Sequence, residues 1–279
     1  MNHIKKINLI LVTFILFIIV LSNKSYAKRI YHYAPLPTES SKSTISKNMG
    51  LIQSIRKILN AEVEIVYHKN YDNIINEFSR GNIDIAYLGP LPVIKLQQNT
   101  HTSEPVLLFK NNNGNARYRC TLCSPLDGVS DRDALRTIRP VRVALTQESS
   151  TCGPLSTFWL LRDYGIKIED SIHDYLCSHE SVALSLVRGE FDVGGIKDTT
   201  AERFKELGLN IIASTPPLPG FALVVNTGTM EAEAIDTLVN GLLKLDEDER
   251  KHWDIGRYGF EAVDNGSYDN LSFMLEMGE

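Results

Sequence analysis

The chain has 279 residues, a formal net charge of −5 and 43% hydrophobic residues. That length can bury a large core in one domain or two, and the acidity argues against a nucleic-acid partner, which calls for a basic patch. An anionic small ligand is still allowed, because dipoles and hydrogen bonds can hold one without net positive charge.

The N-terminus reads as a targeting segment. Lys5 and Lys6 precede an apolar run from Leu9 to Leu21, and Ser25-Tyr26-Ala27 puts small residues at −3 and −1 of a cleavage point. The apolar run is short for a membrane span of about 20 residues. Cleavage after Ala27 is therefore the expectation, with a retained anchor as the alternative, and 1–27 is assigned as a signal peptide of a periplasmic protein. Lys5, Lys6 and Lys24 leave with it, so the remainder is more acidic.

From Lys28 onward, strand and helix patterns alternate. Ile30 to Tyr33 is a short strand, followed by Ala34-Pro35-Leu36-Pro37 and a Ser/Thr-rich loop to Ser46. A helix then carries Ile52, Ile55, Ile58 and Leu59 on one face, and Val63, Ile65 and Tyr67 alternate as a strand. Asn70-Tyr71-Asp72 opens a helix with Ile74, Ile75 and Phe78, closed by Gly81. Ile83, Ile85 and Tyr87 form a strand stopped by Gly89-Pro90. Val106 to Phe109 and Arg117 to Leu122 follow as expected crossing strands.

A second unit repeats this build. Val141, Val143 and Leu145 alternate as a strand, and Gln147 to Pro154 turns into a helix bearing Leu155, Phe158, Trp159 and Leu161. In that turn Ser149 or Ser150 is a candidate N-cap and Pro154 suits the first helical turn. It reads either as an ordinary capped helix or as an anion site at a helix start. Asp174 to Cys177 is a short strand, and Ser178-His179-Glu180 caps a helix with Val182, Ala183, Leu186 and Val187. Ile196 to Thr200 begins another helix, Ile211 to Ala213 is a strand, and Phe221 to Val225 is a strand returning to the first unit. The remainder is helical and acidic.

The strongest organisational signal is an internal echo. Arg80-Gly81-Asn82-Ile83-Asp84-Ile85-Ala86 is matched in kind by Arg188-Gly189-Glu190-Phe191-Asp192-Val193-Gly194. Each ends an apolar-striped helix and enters a strand with an apolar-Asp-apolar pattern. Two α/β lobes of similar build account for it.

Four cysteines, Cys120, Cys123, Cys152 and Cys177, follow the signal segment, so export makes disulfides the default and leaves their pairing open. In a strand, residues three apart lie about 10 Å apart and point to opposite faces. A Cys120–Cys123 bridge, which needs Cα atoms within about 7 Å, would therefore require a turn. The same geometry disfavours a zinc site built on this pair, and no metal or cofactor is expected.

Six motifs in order carry a resemblance. They are Asn70-Tyr71, Gly81 to Pro90, Tyr118, Ser150-Thr151-Cys152-Gly153, Ser178-His179-Glu180 and Gly189 to Gly194. Together they resemble the substrate-binding proteins of phosphate, phosphite and phosphonate transporters, a branch of the type II periplasmic binding proteins. The resemblance implies a two-lobed α/β fold, each lobe a mixed sheet flanked by helices, with residues 28–118 and 217–279 as lobe one and 119–216 as lobe two. It also implies a tetrahedral oxyanion bound between the lobes, held by Ser149, Ser150 and Thr151, faced by Tyr71 and Tyr118, with His179 donating and Asp198 accepting from a protonated ligand oxygen or amine.

Cys152 departs from the family's serine. Cys120 should share a face with Tyr118, and Cys177 lies two residues before His179, so three thiols fall near the expected contacts. They read either as structural disulfides or as thiols that favour a soft ligand. The second reading points to the arsenate- or arsenite-binding members of the family, which work with a sensor histidine kinase rather than a permease. The expected function is capture of phosphate, phosphonate or an arsenic oxyanion by a monomer that presents it to an ABC transporter or a sensor kinase. An enzyme with Cys152 as nucleophile, His179 as base and Asp198 as orienter is the remote alternative.

Overall fold

The computed structural model describes residues 28–129, 132–264, 266–268, 271, 274 and 275; the segment 1–27, expected to be a signal peptide, lies outside them. Strands β1 (Ile30–Ala34), β2 (Glu62–Ile65) and β3 (Ile85–Leu88) arise from the three apolar alternations, and β1 pairs parallel with both neighbours. Tyr33 and Ile85, paired in register, point to one face, and Ala34 and Ala86 to the other. Helix α1 (Ser41–Leu59) covers the first face with Leu51, Ile52 and Ile55, and α2 (Tyr71–Ser79) covers the second with Ile74, Ile75 and Phe78. Each such side chain contributes about 1.5–3 kcal/mol by leaving water. Helix α3 (Pro90–Asn99) joins the second face through Val93 and Leu96, after which β4 (Ser103–Phe109) enters the sheet.

The chain then crosses on β5 (Arg117–Tyr118) and builds a second sheet from β6 (Cys120–Pro125), β7 (Val141–Leu145), β8 (Ser171–Tyr175), β9 (Val193–Lys197) and β10 (Leu209–Ser214). Helices α4 (Arg132–Thr137) and α5 (Ser156–Arg162) cover one face, and α6 (His179–Val187) and α7 (Asp198–Phe204) the other. It returns on β11 (Leu218–Pro219), which pairs antiparallel with β5, and continues as β12 (Ala222–Asn226). Helices α8 (Ala232–Lys244) and α9 (Glu247–Arg250) and strand β13 (Phe260–Ala262) complete the first lobe.

The first sheet runs β13-β4-β12-β3-β1-β2 and the second β10-β6-β9-β7-β8. Apart from β13 the two orders correspond strand for strand. In each, the antiparallel strand beside β3 or β9 arrives from the other lobe, as β12 or β6. The crossing strands thus sit inside the sheets, joined by the short β5–β11 ribbon.

The sequence echo has a physical counterpart. Asp84 accepts the His32 N–H of β1 at 2.7 Å while its own N–H donates to the His32 carbonyl. Asp192 does the same with Arg142 of β7, at 2.8 Å. Each aspartate registers the third strand of its lobe against the first, and loss of such a buried acceptor costs about 1–3 kcal/mol. Gly81 and Gly189 take φ values of 79° and 71°, a left-handed turn that glycine adopts freely after a helix.

Several elements depart from expectation. Helix α1 begins at Ser41 rather than after Ser46, because Ser40 accepts the Ser43 N–H and Glu39 binds Ser43 and Lys47. Pro90 stops no more than the strand; it is the first residue of α3, where its missing N–H costs nothing. Val106 to Phe109 is an interior part of the first sheet and not a crossing strand. The strand expected at Asp174 to Cys177 lies earlier, at Ser171–Tyr175, and β13 was not anticipated. Among the described residues no helix is long and apolar enough to cross a membrane.

The turn after β7 is seated by a close approach. Thr151 to Leu155 forms one wide turn, with the Ser156 N–H reaching the Thr151 carbonyl, before the regular helix α5 begins. Its Cys152 carbonyl accepts Thr157 Oγ1 at 2.9 Å, and both lie against β9 at Gly195. A Cβ on Gly195 would sit 1.7 Å from Thr157 Oγ1 and 2.3 Å from the Cys152 carbonyl oxygen. A disulfide from Cys152 to Cys120 at the start of β6, with Cα atoms 5.1 Å apart, holds the turn from the other side. Gly195→Ala should therefore destabilise the protein by about 3 kcal/mol, the upper part of the range for overpacking, read as a lower urea midpoint. An unchanged midpoint would mean that the turn moves aside freely.

Candidate functional site

Corresponding helix starts aim side chains from the two lobes at one point. Tyr71 is the first residue of α2, after Asn70, whose side chain accepts the Asn73 N–H at 2.9 Å. His179 is the first residue of α6, after Ser178, whose hydroxyl accepts the Ser181 N–H at 3.0 Å. These caps fix both helix ends. The β7 turn brings Ser150 and Thr151 to the same place, and the β5 crossing strand brings Tyr118. With Cys152 and an apolar rim of Leu36, Pro92 and Phe221, they line a cavity of about 10 Å³ between the sheets. That is room for about one water-sized sphere.

The hydroxyls pair across this cleft. The Tyr71 hydroxyl faces Ser150 and the Tyr118 hydroxyl faces Thr151, each near enough to feel the other's dipole. Thr151 Oγ1 also accepts the Leu91 N–H, from the first turn of α3, at 3.0 Å. Burial pushes both tyrosine pKa values well above the ordinary phenol value, so each hydroxyl keeps its proton. The His179 Nδ1 accepts the Lys197 N–H at 3.1 Å, which places the ring proton on Nε2 as a donor. Burial and, secondarily, the Lys197 charge lower its pKa to about 4, so the ring is neutral at physiological pH. Among the described residues no carboxylate lines this cavity.

Around it lies a set of contacts between the lobes. Ser149 Oγ donates to Asp72 at 2.5 Å and accepts from Lys95 Nζ at 2.7 Å. Gln147 accepts the Tyr71 N–H at 3.3 Å and donates to the carbonyls of Pro37 and Cys177.

Five of the eight expected contacts, Tyr71, Tyr118, Ser150, Thr151 and His179, converge with their polar groups at the cavity. Cys152 is also in its wall, but without a thiol. Ser149 is not in the lining; it belongs to the contact with Asp72 and Lys95. Nor does either serine cap α5, because the wide turn intervenes. Asp198 is outside the lining as well: one carboxylate oxygen accepts the Arg119 N–H at 3.0 Å and the other the Thr199 N–H at 2.7 Å. It ties β9 to the crossing strand.

The pairing of the cysteines gives the soft-ligand reading no support. Cys120 and Cys152 are bonded to one another. Cys123 is buried on the opposite face of β6, as its offset of three dictates, and burial pushes its thiol up to about 12. Cys177 is exposed, and among the described residues no cluster of three metal-ligating side chains exists. The nucleophile–base–orienter triad does not assemble either, since the Cys152 sulfur, the His179 Nδ1 and the Asp198 carboxylate are each engaged elsewhere. Lys197 and Gln147 were not singled out from the sequence. Lys197 ends an apolar strand, where a lone cation reads as a solvated edge.

A family model described as "ABC transporter, phosphonate, periplasmic substrate-binding protein" matches residues 33–268. The phosphate-import protein PhnD of Mycolicibacterium smegmatis is 24% identical over 179 residues, which span 61% of this chain and 56% of that protein. Among solved structures, PhnD1 of Prochlorococcus marinus in complex with methylphosphonate superposes with a TM-score of 0.76 at 16% identity, over 89% of this chain and 97% of that one. A binding component of an ABC phosphonate transporter from Pseudomonas aeruginosa gives 0.74 at 18% identity, over 90% and 87%. These likenesses establish the two-lobed α/β fold of type II periplasmic binding proteins, and the family match covers both sheets and the crossing strands. The chain belongs to the phosphonate-type periplasmic substrate-binding proteins of ABC transporters.

Proposed function

We propose that this protein captures the tetrahedral head of a phosphate or phosphonate between its lobes and presents it, without turnover, to the permease of an ABC transporter. The observation that carries the reading is the cavity itself: four hydroxyls and a neutral imidazole N–H converge there, and no acid does. An entering anion would draw these hydroxyls into charge-assisted hydrogen bonds, which are stronger than neutral ones. Since a hydroxyl can accept as well as donate, the same groups accommodate a ligand oxygen that keeps its proton. Opening about the β5–β11 ribbon would admit the ligand and closure would desolvate it.

The curated relative is a phosphate-import protein, and the first superposed structure holds methylphosphonate. Both fit a hydroxyl-lined cradle. An arsenic ligand held by thiolates is disfavoured, because the sulfurs of Cys120 and Cys152 are joined. A sensor-kinase partner has no support of its own, whereas the family match supports a permease. Monomeric state, export and boundaries of 28–118 with 217–279 and of 119–216 for the lobes belong to the same reading.

Titration calorimetry and thermal melting with phosphate, methylphosphonate, arsenate and arsenite should give heat and a raised melting temperature with the first two. Arsenite alone should give none. Reductant should lower melting in every case, because opening the disulfide releases a loop with a sequence separation of 32, worth about 3–4 kcal/mol of unfolded-state constraint. It should leave the ligand order unchanged; an arsenite shift that appears only under reduction would restore the thiol reading.

Thr151→Val keeps shape but removes a hydroxyl that faces the ligand. It should weaken methylphosphonate by about 10- to 100-fold, the value of one charge-assisted hydrogen bond. Binding at the wild-type level by a folded variant would remove Thr151 from the cradle.

The histidine predicts an acid limb. His179 has a folded pKa of about 4, below its ordinary 6.5. The unfolded chain therefore binds its proton first, and stability present above pH 6.5 falls as pH drops toward 4. Urea midpoints of His179→Asn measured across that window should slope less than those of the wild type.

A further inference from the structure

A second and larger cavity, of about 340 Å³, lies beside the cradle and shares two walls with it, the rings of Tyr118 and Phe221. Its size falls within the range of small-molecule sites. It opens where the lobes meet: Lys197 and Thr199 reach it from β9 and α7, Arg117 from the crossing strand, and Lys110 from the end of β4.

Its charge is one-sided. Lys110, Arg117 and Lys197 are each half-buried, and Arg257 is exposed at the mouth, facing one acid, the exposed Asp254. Among the described residues none of these four cations is in an ion pair. Lys197 is the most telling. Its Nζ stands 5.3 Å from the Tyr118 ring centre and 4.9 Å from that of Phe221, so the cation leans on the wall between the cavities. Its sequence neighbour Asp198 does not neutralise it by contact, since that carboxylate is spent on the Arg119 and Thr199 amides. Asp198 offsets the Lys197 charge only from a distance and against the cost of burial, and a low-dielectric wall holding this excess of positive charge next to an anion cradle is costly unless a second anion answers it.

We propose that this cavity takes the organic arm of the ligand, and that the arm ends in a second anionic group such as a carboxylate. The inference rests on the cradle reading and narrows it from simple phosphate or methylphosphonate to acid-bearing phosphonates or phosphate esters. The arm runs along the Tyr118–Phe221 pair, whose rings pack against each other with centres 5.7 Å apart and line both cavities, and its terminal acid meets Lys197, Arg117 and Lys110.

Titration calorimetry at low salt tests this with phosphonoacetate, 3-phosphonopropionate and 4-phosphonobutyrate against alkylphosphonates of matching length and 2-aminoethylphosphonate. At least one carboxylate should bind about tenfold or more tighter than its alkyl counterpart, and the aminoethyl compound should bind weaker than ethylphosphonate. Lys110→Gln with Arg117→Gln should erase most of that advantage while methylphosphonate binds as before. Lys110→Gln alone should erase part of it and serves if the double variant does not fold. Equal affinities for carboxylate and alkyl arms, an aminoethyl preference, or an advantage that survives these variants would overturn the proposal. Succinate binding alongside methylphosphonate would overturn it too, by making the cavity an independent anion site. Failure of phosphate and every phosphonate to bind would instead overturn the cradle reading beneath it.

Discussion

The turn that carries Ser150 and Thr151 stands at the cleft because β9 has no side chain at Gly195. A backbone carbonyl and a threonine hydroxyl fill the space a Cβ would take. From that approach follows the position of Cys152, within bonding distance of Cys120, and of Thr151, opposite Tyr118 and the Leu91 amide. The cradle is thus a consequence of backbone packing in the second lobe. Its hydroxyls need no charged neighbour to hold them, which leaves the cavity rich in donors and free of acids.

Among the described residues the two lobes meet near the cradle through a small set of polar contacts. Ser149 between Asp72 and Lys95, Thr151 against Leu91, and Gln147 between Tyr71 and Pro37 account for most of those near the cradle. Each is a single hydrogen bond or a small cluster of the kind that exchanges readily with water. The covalent path between the lobes is the β5–β11 ribbon, paired over Arg117–Tyr118 and Leu218–Pro219. A thin, short connection with weak latches suits hinge closure, and Tyr118 lies on the ribbon itself, so the cavity and the connection share a residue.

Much of this was legible in the residues. The Arg-Gly echo announced two lobes because a helix stop followed by an apolar-Asp-apolar strand has one local solution, the aspartate clasping the neighbouring strand. The caps Asn70 and Ser178 pointed to Tyr71 and His179 as helix-start residues. Ser149 and Asp198 stand outside the cavity lining for a common reason: short polar side chains satisfy whichever backbone or side-chain partner tertiary packing supplies, and spacing does not reveal which. The cysteines left two readings open along the chain, since a thiol near a ligand and a thiol near another thiol look alike there, and the Cys120–Cys152 bond follows the disulfide one.

What local chemistry settled, then, was the alternation of strands and helices, the helix caps and the family motifs, all of which depend on neighbours a few residues away. Three-dimensional packing settled which hydroxyls face the cavity, that Cys152 is bonded to Cys120, and that Lys197 stands between two cavities with Asp198 acting on it only from a distance. Those facts depend on residues brought together from distant strands across the crossover, where a periodicity of two or 3.6 carries no information.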